Sequence, residues 1–297
     1  MAKRDYRPGH WKEPKMRERL QYIQDKLKTL NAPVETIAGT EVRVSKAECP
    51  EHGSFEQRCR TFKALPHVQT RTECPRCLET KMADMQNQVQ AEQARKKQAL
   101  IQTLLKNAHI PPRFEQACFE SYQPVNAQAR QCLAVCQRYA EHWPTRRSQG
   151  GGLVLCGRPG TGKNHLAVSM AKSLIQTHQA SVLLTGALQM IRAVKNTWSK
   201  TAEKTETQVI QDYARPDLLV IDELGVQFGS DTEKIILFEI LNTRYEQLKP
   251  SVLISNLAPA EMADCIGERV MDRMQEGGGG TLAFTWNSYR QQKSQCV

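Results

Sequence analysis

Residues 157–164 read Gly-Arg-Pro-Gly-Thr-Gly-Lys-Asn, a glycine-rich segment that indicates both a fold and a ligand. It matches the phosphate-binding loop GxxxxGK(S/T) except at the last position, where Asn164 replaces the hydroxyl residue that ligates Mg²⁺. Glycines let backbone amides approach phosphates, the following helix adds partial positive charge, and Lys163 suits the β- and γ-phosphates. We therefore expect a nucleoside triphosphate to be bound by Gly157, Pro159, Gly160, Thr161, Gly162, Lys163, Asn164 and His165.

The sequence on both sides of the loop has the periodicity that this motif requires. Residues 153–156 form a short apolar run, which predicts a buried parallel strand. Residues 165–176 carry apolar side chains at helical spacing, which predicts a helix. The order strand, glycine-rich turn, helix distinguishes a phosphate-binding loop from an incidental glycine-rich turn.

An acidic motif follows at residues 218–223, which read Leu-Leu-Val-Ile-Asp-Glu. An apolar strand that ends in two carboxylates predicts that Asp222 holds Mg²⁺ and that Glu223 polarises the attacking water. The amide oxygen of Asn164 is a second candidate ligand for Mg²⁺ or for one of its waters, but it does not reproduce a compact hydroxyl. We therefore expect nucleotide binding with slow turnover.

The net charge of +10 is distributed unevenly along the 297 residues. Residues 1–106 hold 21 Lys and Arg against 13 Asp and Glu, whereas residues 107–297 hold 20 against 18. A basic N-terminal third suits contact with nucleic acid or with an acidic protein surface; a solubilising basic face is the alternative. We expect no signal peptide and no membrane span, because no apolar run is long enough for either. The predicted location is the cytoplasm of a bacterium or of a phage-infected bacterial cell.

Two pairs of metal-ligating residues lie in the N-terminal third, Cys49-Pro-Glu-His52 and Cys74-Pro-Arg-Cys77. Ten cysteines without an export signal indicate thiols and a metal site instead of disulfides. Two ligands separated by two residues bind one tetrahedral ion from a tight turn, so the pairs predict a structural zinc site in a ribbon or knuckle. Cys59 is the alternative to His52 as the fourth ligand.

Two helices flank this metal module. Apolar residues spaced four and three apart over 16–30 predict a basic helix, whose stripe packs either on the module or on a partner helix. Residues 78–106 lack Gly and Pro and predict a long helical spacer that ends before Pro111-Pro112. The expected domains are a helical and zinc-binding N-terminal domain at 1–78, a helical linker at 79–106 and an ATPase domain at 107–297.

The remainder of the chain alternates strands and helices. Strands are expected near 153–156, 181–185, 218–221, 251–255 and 281–284, and helices near 127–142, 164–177, 187–199, 231–248 and 259–275. This alternation predicts an α/β fold with a parallel five-stranded sheet that is covered on both faces. We expect the glycine runs at 149–152 and 277–280 to be flexible joints.

Four strings in this part resemble the AAA+ replicative helicase loaders of the bacterial DnaC type, including phage versions. They are GRPGTGKNHL at 157–166, LVIDELGV at 219–226, GERVMDRM at 267–274 and WNSYR at 286–290. The resemblance covers about residues 107–297. It is weaker over 1–106, where the zinc pairs are similar to those of loaders with a metal-binding N-terminal domain.

The resemblance implies roles for further residues. Asn256 would be the sensor that positions the attacking water, and Arg290 would match the second sensor. Arg273, supported by Arg269, would be the arginine finger that reaches the neighbouring subunit's nucleotide. Cationic groups at such positions neutralise the charge that grows on the transferred phosphoryl group.

A single-stranded DNA contact is expected at Lys195 and Trp198. An aromatic side chain three residues from a lysine offers a stacking platform beside a phosphate contact, and the matching family segment lines the channel for single-stranded DNA. The alternative is that Trp198 closes the core.

The function that the resemblance implies is ATP-dependent loading of a ring-shaped, DnaB-type replicative helicase onto single-stranded DNA. Loader subunits would self-associate and hydrolyse ATP with Mg²⁺ slowly, while the zinc module holds the helicase. One alternative is a transposition-associated, target-selecting ATPase (IstB-like), which the GKN and GERVMDRM strings disfavour. Another is a nonenzymatic nucleic-acid-binding adaptor, which the intact Asp222-Glu223 pair disfavours.

Overall fold

The structure, a computed structural model, describes residues 16–35, 37–226 and 230–289. The chain divides into two compact units, one that ends at Gln98 and one that begins at Ala99. Among the described residues, no helix is both long enough and apolar enough to cross a membrane.

The N-terminal unit combines helices with an antiparallel sheet of three strands, whose order in the sheet is their order along the chain. Both predicted helices are confirmed, and the second begins at Pro75, because proline is tolerated where the helix needs no N–H donor. The sheet was not predicted, since its third strand is exposed along its whole length and shows no alternation. The elements are α1 (Met16–Asn31), β1 (Thr40–Cys49), β2 (Gly53–Phe62), β3 (Leu65–Arg71) and α2 (Pro75–Asn107), which crosses the unit boundary.

Helix α1 is bonded to the rest of its own unit. Arg58 on β2 donates hydrogen bonds from Nη1 to the carbonyl oxygens of Thr29 and Ala32, at 3.2 and 2.9 Å. Lys26 forms an ion pair with Glu73 at 2.5 Å. The apolar stripe of the helix is half-buried at Leu20, Ile23, Leu27 and Leu30. These contacts favour the reading in which the stripe packs within the metal module.

The second unit is an α/β domain whose five strands are all parallel. Their order in the sheet is β5 (Val182–Gly186), β6 (Leu218–Leu224), β7 (Ser251–Ser255), β4 (Leu153–Gly157) and β8 (Gly280–Phe284). The predicted fold class and all five predicted strands are confirmed. The elements are α3 (Ala127–Glu141), α4 (Trp143–Gln149), β4 (Leu153–Gly157), α5 (Lys163–His178), β5 (Val182–Gly186), α6 (Ala187–Asn196), α7 (Glu206–Ala214), β6 (Leu218–Leu224), α8 (Asp231–Glu246), β7 (Ser251–Ser255), α9 (Pro259–Ile266), α10 (Glu268–Gln275) and β8 (Gly280–Phe284).

The core lies on both faces of this sheet. Side chains alternate along a strand, so Leu153 and Leu155 of β4 pack with α3 and α5, whereas Val154 and Cys156 pack with α6 and α8. Each face is therefore covered by helices, as a parallel sheet requires. This arrangement brings the carboxyl ends of β4, β6 and β7 to one edge, where ligands bind in open α/β sheets.

The helical predictions for this unit were incomplete in three places, one of which is α4, a short helix that lies beyond the expected helix at 127–142. The segment 259–275 forms two helices instead of one, because Gly267 interrupts it with a φ of 91°. Helix α7 was missed, although Thr205 and Gln208 form a capping box at its start. Its sequence is polar and gives a weak apolar period, so the cap was the available signal.

The predicted flexible joints are instead closely packed against each other. Gly280 donates from its N–H to the carbonyl oxygen of Gly152 at 3.1 Å. A Cβ on Gly151 would lie 2.3 Å from the carbonyl oxygen of Gly277. Glycine is needed here because two backbone segments approach closely, and not because the chain must bend freely.

A buried arginine joins several elements at the opposite end of the sheet from the phosphate-binding loop. The guanidinium of Arg244 on α8 is fully buried. It donates to the Ser251 hydroxyl on β7 at 2.9 Å and to the carbonyl oxygen of Pro250 at 2.5 Å. Nη1 also donates to the carbonyl oxygens of Tyr213, Ala214 and Pro216. Burial lowers the pKa of this guanidinium to about 9.

Candidate nucleotide-binding site

The phosphate-binding loop connects β4 to α5 and lines a cavity of about 360 Å³. Gly162 precedes the first residue of α5 with a φ of 96°, and a Cβ there would lie 2.5 Å from the ring of Tyr122. Glycine is therefore required at this position by backbone conformation and by space. Residues 159–165 all line the cavity, which has the size of a small-molecule site. Gly157 lies outside the lining.

Lys163 is held against the loop itself. Its side chain is buried, and Nζ donates to the carbonyl oxygens of Gly157 and Arg158 at 2.6 and 2.7 Å. Burial lowers the pKa of this ammonium to about 8, although the Asp222 carboxylate partly opposes the shift. The cation is thus positioned at the loop, where a phosphate group would restore its full charge.

Asn164 and Asp222 are directly bonded. Nδ2 of Asn164 donates to Oδ2 of Asp222 at 2.5 Å, while Oδ1 of Asp222 accepts from the N–H of Glu223 at 2.7 Å. A carboxylate and an amide oxygen suit a hard cation such as Mg²⁺. For Asn164 to be a ligand, its amide must turn so that the oxygen faces the ion. The two side chains therefore fit Mg²⁺. Asp222 could ligate the ion as it stands, and Asn164 could do so after this rotation.

The two carboxylates lie at a β-bulge. Ile221 of β6 pairs with Leu253 of β7, but Leu224 pairs with Ser255, so Asp222 and Glu223 together oppose a single residue. Glu223 has a φ of 60°, in the left-handed region that few non-glycine residues adopt. Bulges re-aim side chains at active sites, and Glu223 is exposed toward the cavity that it lines.

Asn256 follows directly after β7 and lines the same cavity as Asp222 and Glu223. Its side chain is exposed. Since β6 and β7 are neighbouring parallel strands, their carboxyl ends place these three polar side chains together. The structure thus brings the predicted water-positioning residues to one cavity.

The other wall of the cavity was not predicted from the sequence. Tyr122 donates from its hydroxyl to the carbonyl oxygen of Thr161 at 3.3 Å. His165, predicted to bind nucleotide, lies with Nε2 at 2.9 Å from the carbonyl oxygen of Cys118 and 3.1 Å from the hydroxyl of Ser121. It therefore fixes this wall to α5. Further lining residues from this wall and from the C-terminal segment are Arg113, Phe114, Gln123, Val125, Trp286 and Tyr289.

The arginines of the GERVMDRM string lie on α10 and differ in their surroundings. Arg273 donates from Nη1 to the amide oxygen of Asn242, and its guanidinium lies 4.5 Å from the centre of the Tyr245 ring. Arg269 is exposed. Neither belongs to the described lining of the cavity in its own chain. Arg290 lies outside the described residues.

The two residues predicted to contact DNA also differ in their surroundings. Lys195 forms an ion pair with Glu233 at 2.9 Å, and the Glu233 side chain is only 4% exposed. Trp198 is 53% exposed and donates from Nε1 to Glu206 at 2.7 Å. Trp198 therefore does not close the core, and its ring presents a free apolar surface.

The four predicted zinc ligands converge in the N-terminal unit. Cys49 ends β1 and His52 lies in the β1–β2 turn, while Cys74 directly precedes α2 and Cys77 lies in its first turn. Their ligand atoms all lie within 4.8 Å of one another. The Sγ atoms of Cys49 and Cys77 are 3.4 Å apart, and His52 Nδ1 is 3.3 Å from Cys77 Sγ. Tetrahedral zinc with bonds of about 2.3 Å separates its sulfur ligands by about 3.8 Å, within the range that the four ligand atoms span, so three thiols and one imidazole suit the ion.

Cys59 does not belong to this cluster. It lies within β2, where its backbone pairs with Arg43 and Arg71, and its Sγ is 3.6 Å from Oε1 of Gln69. Among the described residues, the cluster of possible ligands thus contains His52 and not Cys59.

Comparisons with known proteins find relatives over most of the chain. The family described as IstB-like ATP binding protein matches residues 62–295. The replicative helicase loader DnaC of Buchnera aphidicola (subsp. Schizaphis graminum) is 35% identical over 191 residues, which cover 64% of this chain and 76% of that protein. DnaC of Escherichia coli K12 is 33% identical over 190 residues with the same coverage. A crystal structure of the DnaC helicase loader has a TM-score of 0.53 at 22% identity, covering 59% of this chain and 99% of that one, and shares the fold.

Proposed function

The chain belongs to the IstB-like ATP-binding protein family, and we propose that it loads a ring-shaped, DnaB-type replicative helicase onto single-stranded DNA. The observation that carries the proposal is the identity of 33–35% to proteins named replicative helicase loader DnaC. The cavity supports the proposal, because the phosphate-binding loop, the carboxylates of Asp222 and Glu223, and Asn256 all line it, as ATP hydrolysis would require.

ATP and Mg²⁺ would be held by the residues of this cavity. The loop amides and Lys163 would bind the β- and γ-phosphates, and Asp222 with Asn164 would hold Mg²⁺, which supplies charge neutralisation. Glu223 would accept a proton from the attacking water, and Asn256 would orient that water. The Asn164–Asp222 bond supports slow turnover, since the amide must give up this bond before it can face the ion.

Hydrolysis gated by assembly is the second part of the proposal. A neighbouring copy would supply Arg273, with Arg269 in support, to neutralise the γ-phosphoryl charge. Arg269 is exposed and available to a neighbour, whereas Arg273 must leave Tyr245 and Asn242 to reach one. Arg290 would act as the second sensor.

Single-stranded DNA would contact the segment after α6. The exposed ring of Trp198 supports base stacking there, whereas the ion pair of Lys195 with Glu233 weakens its role as a phosphate contact. The N-terminal domain at 1–78 would fold around zinc and hold the helicase, with 79–106 as the linker. We place this activity in the bacterial cytoplasm, of a host or of a phage-infected cell.

A target-selecting transposition ATPase is the second candidate, because the family description itself is IstB-like. Capture of a purified DnaB-type helicase by the immobilised full chain, with and without ATP, tests the choice. If the chain is a loader, it should capture the helicase, and the amount captured should change when ATP is added. In Lys163→Ala the capture should no longer respond to ATP. Binding to duplex DNA with no helicase capture would favour the transposition candidate instead.

A further inference from the structure

Ser255 lies on β7 opposite the point where the bulged strand β6 returns to regular pairing. Its hydroxyl donates to the carbonyl oxygen of Leu224 at 2.5 Å and accepts from the N–H of Leu257 at 3.1 Å. The residue is 1% exposed. Leu224 is the first residue after the bulge and is the backbone partner of Ser255. The hydroxyl therefore fixes the exit of the bulge that contains Asp222 and Glu223.

A second contact supports the same point. Gly225 has a φ of 96°, and a Cβ there would lie 2.6 Å from Cδ1 of Leu257. Leu257, whose N–H is bonded to Ser255, is thus packed on the backbone that follows Leu224. The bulge is closed from the β7 side by a hydrogen bond and by this close approach.

The entrance of the bulge is fixed separately. Oδ1 of Asp222 accepts from the N–H of Glu223, which holds the left-handed turn at that residue. A left-handed glutamate persists only where its surroundings over-determine it, and such conformations cluster at active sites. Within the turn, the carbonyl oxygen of Glu223 also accepts from the N–H of Val226 at 3.3 Å. The Ser255 hydroxyl ties the exit of this turn to β7, so the geometry at Glu223 also depends on that bond.

Ser255 also directly precedes Asn256, which lines the nucleotide cavity. One buried hydroxyl thus joins the strand that carries Asn256 to the bulge that carries Glu223. We propose that Ser255 is a positioning residue for ATP hydrolysis, whose hydroxyl keeps Glu223 in its left-handed conformation beside Asn256. The inference rests on the hydrolysis step of the proposed function.

The test compares Ser255→Ala with Ser251→Ala in the full chain. Both serines are buried at opposite ends of β7, and the Ser251 hydroxyl accepts from Arg244, far from the cavity. Ser255→Ala is expected to lower kcat by about tenfold to a hundredfold. It should leave KM for ATP and the affinity for a fluorescent ATP analogue unchanged. Ser251→Ala should lower the melting temperature and leave kcat unchanged.

Amide hydrogen exchange of residues 222–226, measured without nucleotide or helicase, gives a readout that does not depend on turnover. Ser255→Ala should accelerate it, and Ser255→Thr, which keeps the hydroxyl, should restore both exchange and kcat. If Ser255→Ala does not fold, Ser255→Cys, with a weaker donor, should give an intermediate kcat.

Wild-type kcat in Ser255→Ala or Ser255→Cys, unchanged exchange, or an equal loss of kcat and nucleotide affinity would each overturn the inference. Failure of the chain to capture a helicase, with the exchange and kcat results as expected, would overturn the proposed function alone. The two proposals therefore fail separately.

Discussion

The side-chain amide of Asn164 donates a 2.5 Å hydrogen bond to the carboxylate of Asp222. This bond joins the last residue of the phosphate-binding loop to the strand that would hold Mg²⁺. The residue that departs from the motif is therefore engaged with the second half of the site. Its amide nitrogen, and not its oxygen, faces the carboxylate.

Asn164→Thr is expected to increase turnover. A threonine hydroxyl is a compact Mg²⁺ ligand and does not hold Asp222 through an amide N–H, so Mg²⁺ affinity and kcat should both rise, kcat by about tenfold. Steady-state ATP hydrolysis over a Mg²⁺ titration measures both quantities. Asn164→Ala is the control that removes the bond without supplying a ligand. Equal rates for wild type and Asn164→Thr would show that this position does not limit hydrolysis.

ATP affinity should decrease as the pH is raised through about 8. Burial lowers the pKa of Lys163 to about 8, so the free protein loses the ammonium charge over this range. Bound phosphates favour the charged form, and binding therefore takes up a proton. Calorimetric titrations at pH 8 in two buffers of different ionisation enthalpy measure this uptake. Lys163→Arg, which stays charged, should remove the pH dependence. An affinity that is constant between pH 7 and 9 in wild type would contradict the assignment.

The strands of the ATPase unit were predictable because parallel strands are continuous apolar runs, as in β4 and β7. The three-stranded sheet was not, since the exposed side chains of β3 give no alternation. The bulge at Asp222 and Glu223 was hidden for another reason. Its extra residue exists only relative to β7, and a register between strands is a tertiary property. The wall that contains Tyr122 was missed because folding, and not spacing, brings it to the loop.

Zinc binding should depend on Cys77 and not on Cys59. Cys77→Ser removes a ligand from the four-residue cluster, whereas Cys59→Ser changes a residue within β2. We expect about one zinc per chain in wild type and Cys59→Ser, and loss of the metal in Cys77→Ser. Elemental analysis of the purified full chains measures the content. Because the metal supplies folding energy to a small module, circular dichroism should show loss of strand signal in Cys77→Ser. Retention of zinc in Cys77→Ser would exclude this ligand set.

Trp198→Ala should weaken binding to single-stranded DNA by about tenfold while ATP affinity stays the same. The ring is 53% exposed, and stacking on one base contributes about 1–3 kcal/mol. Fluorescence anisotropy with a labelled oligonucleotide at moderate salt measures the change. Lys195→Gln is the matched comparison and should have a smaller effect, since this lysine is paired with Glu233. Unchanged affinity in Trp198→Ala would remove this surface from the DNA path.

Arg244→Met should destabilise the ATPase unit by about 2–5 kcal/mol, because it leaves buried carbonyl groups without their donors. The guanidinium bonds Ser251, Pro250 and the end of α7 from a fully buried position, so methionine fills the space without satisfying any of these groups. Chemical denaturation followed by circular dichroism measures the loss. Arg138→Met changes an exposed arginine of α3 and should alter stability by less than about 0.5 kcal/mol. Since Arg244 lies away from the nucleotide cavity, the folded fraction of Arg244→Met should bind ATP with wild-type affinity. Equal stabilities of the two variants would mean that the buried network contributes nothing net, as in proteins where an apolar replacement repacks a buried charge.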